Sequence, residues 1–98
     1  MAIGLLATIT VLEGKNAAFE QAFLNLADAV RANEPGNAFY ALHKSASDPQ
    51  VYVVMEQYES PEALELHRKS DHFREANQQL GALVAAAPVV EILEAVTR

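Results

Sequence analysis

Two segments of this chain, Ile3 to Val11 and Val51 to Tyr58, are apolar at nearly every position instead of at every second position. A strand with only one buried face alternates between apolar and polar residues. Here the apolar residues fall on both sides of the strand, as in the run Val51, Tyr52, Val53, Val54 and Met55. Both segments are therefore predicted to be strands of a sheet whose two faces are each covered.

The segment after the first strand has the spacing of an amphipathic helix. Its apolar residues recur every three or four positions: Phe19, Ala22, Phe23, Leu26, Ala29 and Val30. Asn16 is predicted to cap its start. The helix must end before Glu34-Pro35-Gly36, because the residue preceding a proline disfavours helical geometry. A second strand, Asn37 to Lys44, is expected to follow.

The second half of the chain predicts two helices and a last strand. The turn Ser45 to Pro49 would join the second and third strands in a hairpin. Ser60 and Pro61 predict the start of a short helix to Lys69, and Ser70-Asp71 predicts the start of the next one. That helix carries Phe73, Ala76, Leu80, Leu83 and Val84. The last strand is predicted from Val89 to Val96.

The predicted order is β-α-β-β-α-β, which is an α+β ferredoxin-like sandwich in a single domain spanning residues 1–98. Its helices all pack on one face of a four-stranded antiparallel sheet. The other face then needs a partner, and 51% apolar residues exceed what a 98-residue chain can bury alone. The simplest partner is the sheet of an identical subunit, so a homodimer is expected.

Composition excludes several functions. A net charge of −6 repels phosphate backbones, so no nucleic-acid partner is expected, and no basic run suggests a membrane. The absence of cysteine excludes disulfides and thiolate metal sites. The N-terminus has no basic region before its apolar stretch, as a secretory signal would, so a cytoplasmic location is expected.

Two histidines are the main candidates for chemistry. His67 falls on the apolar face of the short helix, where an imidazole acts as acid or base near neutral pH. His72 lies at the start of the next helix, where a neutral imidazole is favoured. A core histidine held by one hydrogen bond and an exposed capping residue are the alternatives. His43 is interpreted as structural or interfacial.

Three more polar or ionisable residues fall among apolar neighbours. Glu56 and Tyr58 share one face of the third strand, and Asn77 lies one turn after Phe73. Each either faces a cavity or satisfies a structural hydrogen bond. His67, His72 and Glu56 are residue types that bind metals, but their spacing matches no metal motif, so no metal is predicted. Nucleotide-binding motifs are absent, and no cofactor is predicted.

The stretch Met55 to Phe73 resembles the signature of the antibiotic biosynthesis monooxygenase family. The matching residues are Glu56, Tyr58, Ala63, Leu64, His67, Ser70, His72 and Phe73. Leu12 to Glu20 and Glu34 to Tyr40 also resemble family segments, in the same order. The run Glu56 to Ser60 is most similar to the bacterial quinol monooxygenase type.

This resemblance implies a dimeric α+β barrel with a pocket between sheet and helices. It implies a cofactor-free monooxygenase in which a quinol or polyphenol loses a proton and its anion reduces O₂. His67 or His72 would be the base or oxyanion partner. The substrate would contact Tyr58, Glu56, Phe73, Phe23 and Asn77. The family often has Trp where Tyr58 stands, so a mechanism that needs an indole does not carry over.

Other branches and activities remain as alternatives. The haem-degrading branch has Asn, Trp and His where Ala7, His67 and Asn77 stand here, so haem degradation is not expected. One alternative is an isomerase of a phosphorylated dione, which would need basic residues at the pocket mouth. Another is a non-enzymatic protein that binds a small ligand or acts in stress.

Overall fold

Four strands form one antiparallel sheet in the order β2-β3-β1-β4. The computed structural model describes residues 1–97. Its elements are β1 (Ile3–Thr10), α1 (Asn16–Asn33), β2 (Asn37–Lys44), β3 (Val51–Tyr58), α2 (Pro61–Lys69), α3 (Asp71–Gly81) and β4 (Val89–Glu94). This arrangement confirms the predicted α+β ferredoxin-like fold, with the second helical region divided into α2 and α3.

The strand register assigns each side chain to one face of the sheet. Leu5 pairs with Glu56 on β3 and with Ile92 on β4, so these three side chains share the face that we call the inner face. Tyr40 of β2 pairs with Glu56 and lies on the same side. The inner-face residues of the two central strands are buried: Leu5, Ala7, Ile9, Tyr52, Val54, Glu56 and Tyr58.

The helices pack on the inner face. α1 buries five residues at helical spacing, namely Phe19, Phe23, Leu26, Ala27 and Val30. α2 buries Leu64 and His67, and α3 buries Leu80. No helix within residues 1–97 combines the length and the apolar character that crossing a membrane would require.

None of the three helices of residues 1–97 packs on the opposite face, which we call the outer face. Its apolar side chains are largely open: Met55 of β3 is 40% exposed, Phe39 of β2 is 47% exposed and Leu93 of β4 is 42% exposed. Leu6 and Ala41 pair with Met55 across the sheet and belong to the same face. A contiguous apolar surface of this kind is typical of a protein–protein interface.

Two serines cap helices as the sequence predicts. The Ser60 hydroxyl accepts a hydrogen bond from the Ala63 amide at 3.1 Å. The Ser70 hydroxyl accepts from the Phe73 amide at 3.3 Å and donates to the His67 carbonyl oxygen at 2.7 Å. Ser70 therefore ends α2 and starts α3 with a single side chain.

Several predicted boundaries are wrong. Asn16 does not cap α1, because its side-chain amide instead donates to the Pro49 carbonyl oxygen at 2.8 Å and to the Tyr52 hydroxyl at 3.0 Å. β1 ends at Thr10, and Val11 forms an isolated bridge with Val84. Leu83 and Val84 thus follow α3 instead of belonging to it, and β4 ends at Glu94.

Candidate active site

A cavity of about 170 Å³ lies between the inner face of the sheet and the helices. Most of its wall is apolar. The lining residues are Leu5, Ala7, Ile9, Phe23, Leu26, Tyr40, Val54, Glu56, Leu64, His67, Arg68, Phe73, Asn77, Leu80, Pro88 and Val90. An apolar pocket with a few convergent polar groups is the usual form of a small-molecule site.

His67 is buried against aromatic rings at the end of α2. Its side chain is 2% exposed, and its ring centroid lies 4.5 Å from that of Phe73 and 5.4 Å from that of Tyr40. Burial lowers the pKa of His67, although the carboxylate of Glu34 acts in the opposite direction. The imidazole is therefore favoured in its neutral form near pH 7, which is the state that accepts a proton.

Glu34 fixes the orientation of the His67 ring. Its two carboxylate oxygens lie 3.0 and 2.9 Å from His67 Nδ1, so Nδ1–H donates to the carboxylate. Within residues 1–97 the other nitrogen, Nε2, has no hydrogen-bond partner, and the ring lines the cavity. A neutral imidazole with Nδ1–H bound to a carboxylate presents a basic lone pair at Nε2.

His72 also binds Glu34, from the other side. His72 Nε2 lies 2.5 Å from Glu34 Oε2. Its ring is half-buried and faces a surface depression that it shares with Glu34 and Ser70, and it does not line the cavity. The structure thus brings the two predicted histidines together, but through the carboxylate of Glu34 and with only His67 at the cavity.

Glu56 is the second ionisable group at the cavity. Glu56 is 7% exposed, and its carboxylate accepts a hydrogen bond from the Tyr58 hydroxyl at 2.7 Å. The pKa of Glu56 is raised to about 7, mainly by burial and also by the charge of Glu34, against the lowering effects of the Tyr58 hydrogen bond and of Arg68. Tyr58 itself is fully buried behind Glu56 and does not line the cavity.

The raised pKa of Glu56 predicts a pH-dependent stability. Between the unfolded pKa of 4.5 and the folded pKa of about 7, the folded state holds a proton that the unfolded state has lost. The free energy of unfolding therefore falls as pH rises through this window, by on the order of 2 kcal/mol. In Glu56→Gln this loss is expected to disappear, as measured by urea unfolding at pH 5 and pH 8.

Other groups also titrate between pH 5 and pH 8. The quantity compared is therefore the change in the free energy of unfolding in the wild type minus the change in Glu56→Gln. Glu59→Gln is the matched control, because Glu59 is exposed and its substitution removes the same charge. A wild-type curve that parallels the Glu56→Gln curve across the window would contradict the assignment.

The other residues predicted to contact a substrate lie at the cavity wall. Phe23 stacks on Tyr40 with ring centroids 5.2 Å apart and an angle of 3° between the planes. Phe23, Phe73 and Asn77 line the cavity, and Asn77 is exposed at its edge. The sequence did not single out Glu34 or Tyr40 as site residues. The only feature of the sequence that marked Glu34 was its position just after α1, directly before Pro35.

Glu34, His67 and His72 are also the residues that could hold a metal ion. Within the described part of the chain, their ligand atoms lie within 4.8 Å of one another. The carboxylate is thus Glu34, not Glu56 as considered from the sequence. In this structure the three groups satisfy one another by hydrogen bonds. A cation bound to them would contact His67 Nδ1, which is not the nitrogen at the cavity.

Comparison with known proteins gives matches over most of the chain. Residues 2–79 match the family described as antibiotic biosynthesis monooxygenase. A solved protein from Caulobacter crescentus CB15, described as a candidate antibiotic biosynthesis monooxygenase, is 45% identical to this chain. The two superpose with a TM-score of 0.95, and the match covers 98% of this chain and 91% of that one.

Two further solved structures are similar at lower identity. A candidate antibiotic biosynthesis monooxygenase from Bordetella bronchiseptica is 27% identical, with a TM-score of 0.84 and 98% of each chain covered. A protein from Pseudomonas aeruginosa is 28% identical, with a TM-score of 0.86, and the match covers 98% of this chain and 95% of that one. Curated protein sequences gave no match.

Proposed function

Because this chain belongs to the antibiotic biosynthesis monooxygenase family, we propose that it oxidises a quinol or another electron-rich phenol in the cavity beside His67. One observation carries this proposal. A buried imidazole, oriented by Glu34, turns its unpartnered nitrogen towards an apolar cavity. Such a group removes a proton from a bound hydroxyl, and the surrounding wall accepts an aromatic ring.

His67 is the proposed general base. Its Nε2 takes the proton of the phenol, and the resulting imidazolium is stabilised by the carboxylate of Glu34 at Nδ1. The phenolate is a much stronger electron donor than the neutral phenol. Phe23 and Phe73 hold the ring, and the largely apolar wall offers few groups that compete with the interaction between the two charges.

The phenolate then reduces O₂ without another electron donor. One electron passes from the phenolate to O₂, and the phenoxyl radical and superoxide join through a new C–O bond at a ring carbon that bears hydrogen. The peroxide takes the proton back from His67 and becomes a hydroperoxide. Loss of water breaks the O–O bond and leaves a carbonyl on the ring. One oxygen atom is in the quinone product and the other is in water.

We further propose that two copies pack through their outer faces. Met55, Phe39 and Leu93 lie on this face and are each at least 40% exposed in one chain. At roughly 25 cal/mol per Å² of apolar surface removed from water, covering such a face stabilises the pair. A twofold arrangement pairs the same patch on both subunits. This is the homodimer that the two-sided strands predict.

The proposed activity is tested by O₂ consumption with isotope labelling. Anaerobically reduced menadiol, a second naphthoquinol and monocyclic hydroquinones are mixed with ¹⁸O₂ and the protein. We expect O₂ uptake above the rate of autoxidation, with one labelled atom in the product and one in water.

The outcomes separate the candidate functions. If a quinol binds but its oxidation rate is unchanged across the panel, the oxygenase proposal fails and a ligand-binding function is favoured. Exchange of a substrate proton with solvent in the absence of O₂ uptake would favour an isomerase. All three functions would use the same cavity, so O₂ uptake identifies the oxygenase and proton exchange separates an isomerase from a binding protein.

A further inference from the structure

We infer that the substrate is a single-ring phenol that carries an acid group, and that Arg68 at the mouth of the cavity binds that group. This inference rests on the proposed function, because it assumes that the cavity beside His67 is the substrate site. It adds the substrate class and a residue that determines specificity.

Arg68 is the only arginine or lysine that lines the cavity within residues 1–97. It is exposed, and no carboxylate of residues 1–97 lies within 4.0 Å of its guanidinium, although the chain has 13 acidic residues. Four other basic side chains each have such a partner: Arg31 with Asp28, Lys44 with Glu20, Lys69 with Glu65 and Arg74 with Asp71. The guanidinium of Arg68 thus keeps its hydrogen-bond donors available to a ligand.

The position of Arg68 sets the direction in which a ligand binds. Arg68 follows His67 on α2, and while the His67 ring is buried, Arg68 reaches solvent. It lines the cavity together with Glu56 and His67, so it lies near the polar end. An acid group on the substrate is repelled by the buried carboxyl of Glu56 and attracted by the guanidinium of Arg68 at the mouth. The phenolic hydroxyl then points inward to His67.

The volume of the cavity limits the size of the ring. A cavity of about 150 Å³ lined by apolar side chains holds benzene, and this one measures about 170 Å³. One aromatic ring therefore fills it. The stacked pair of Phe23 and Tyr40 and the ring of Phe73 offer flat surfaces of the matching size. A second fused ring would extend out of the cavity.

The test measures binding of ligands that O₂ does not oxidise readily. Calorimetry compares 4-hydroxybenzoate with its neutral analogue 4-hydroxybenzamide, and with 6-hydroxy-2-naphthoate, which has the same groups on two rings. We expect the wild-type protein to bind the benzoate about tenfold more tightly than the amide, because a hydrogen bond between charged groups increases affinity by about this factor. Arg68→Gln should remove the preference. The naphthoate should bind more weakly than the benzoate.

Arg74→Gln is the matched control, because Arg74 is an exposed arginine on α3 that does not line the cavity. It should keep the full preference for the acid. Equal binding of acid and amide by the wild type, an unchanged preference in Arg68→Gln, or no binding of either ligand at millimolar concentration would each overturn the inference. Binding with the expected preference but without O₂ consumption would instead overturn the oxygenase proposal and leave the role of Arg68 intact.

Discussion

Replacing His67 by alanine is expected to lower the rate of O₂ consumption by a factor of about 10² to 10⁴, which is the usual contribution of a general base. Among the described residues, His67 is the only imidazole at the cavity wall, so the substitution leaves the phenol protonated. Steady-state O₂ uptake with the best quinol of the panel measures the effect. Thermal unfolding of both proteins confirms that the variant is folded.

His67→Gln serves as the control for packing. Glutamine fills much of the same space and can donate to Glu34, but it cannot accept a proton. We expect normal ligand affinity with the same loss of turnover as in the alanine variant. If His67→Gln retained more than about a tenth of the wild-type rate, His67 would not be the base, and Glu56 would become the candidate.

Glu34→Gln tests the positioning of the base. Glu34 raises the pKa of His67 against the effect of burial, so its loss should lower that pKa further. The acid limb of the pH–rate profile is then expected to move to lower pH while the maximal rate falls. A purely structural role for Glu34 would lower the rate without moving the profile.

Replacing Met55 by lysine is expected to convert the proposed dimer into monomers. Met55 is already 40% exposed in a single chain, so a lysine there does not disturb the fold. In the proposed dimer it lies at the centre of the outer face, beside Leu6 and Ala41, and two unpaired charges would be buried. A buried unpaired charge costs about 3 kcal/mol or more, which weakens association at least about 100-fold.

Sedimentation equilibrium at micromolar concentration measures this change. The wild type should have close to twice the 10.7 kDa of one chain, and Met55→Lys should have the mass of one chain. Leu24→Lys is the matched control, because Leu24 is an exposed apolar residue on α1, away from the sheet. A wild-type protein that sediments as a monomer would disprove the assembly proposed for the outer face.

The order of strands and helices could be predicted because hydrophobic periodicity is a local property of the sequence. The apolar spacing of α1 and the serine caps at Ser60 and Ser70 sufficed for the helices. Boundaries failed where a contact distant in sequence decided them. Val11 leaves the strand to pair with Val84, and Asn16 turns away from its helix to reach Pro49 and Tyr52.

The site was predictable only in part, for the same reason. His67 and Glu56 stood out as polar residues on apolar faces, and both line the cavity. Glu34 is separated from His67 by 33 residues and from His72 by 38, so no spacing pattern could connect them. Their meeting depends on how the end of α1 packs against α2 and α3, which only the folded chain determines.

The serine that joins α2 to α3 has a consequence for how this protein can change over generations. Ser70 binds the His67 carbonyl oxygen and the Phe73 amide, so seven consecutive residues hold the base, the bend and one aromatic wall in fixed relation. Much of the remaining wall comes from other segments, including Leu5, Leu26 and Val90. Mutations there can alter which molecule fits without disturbing the proposed base, so new substrates are accessible to descendants that keep the same proposed reaction.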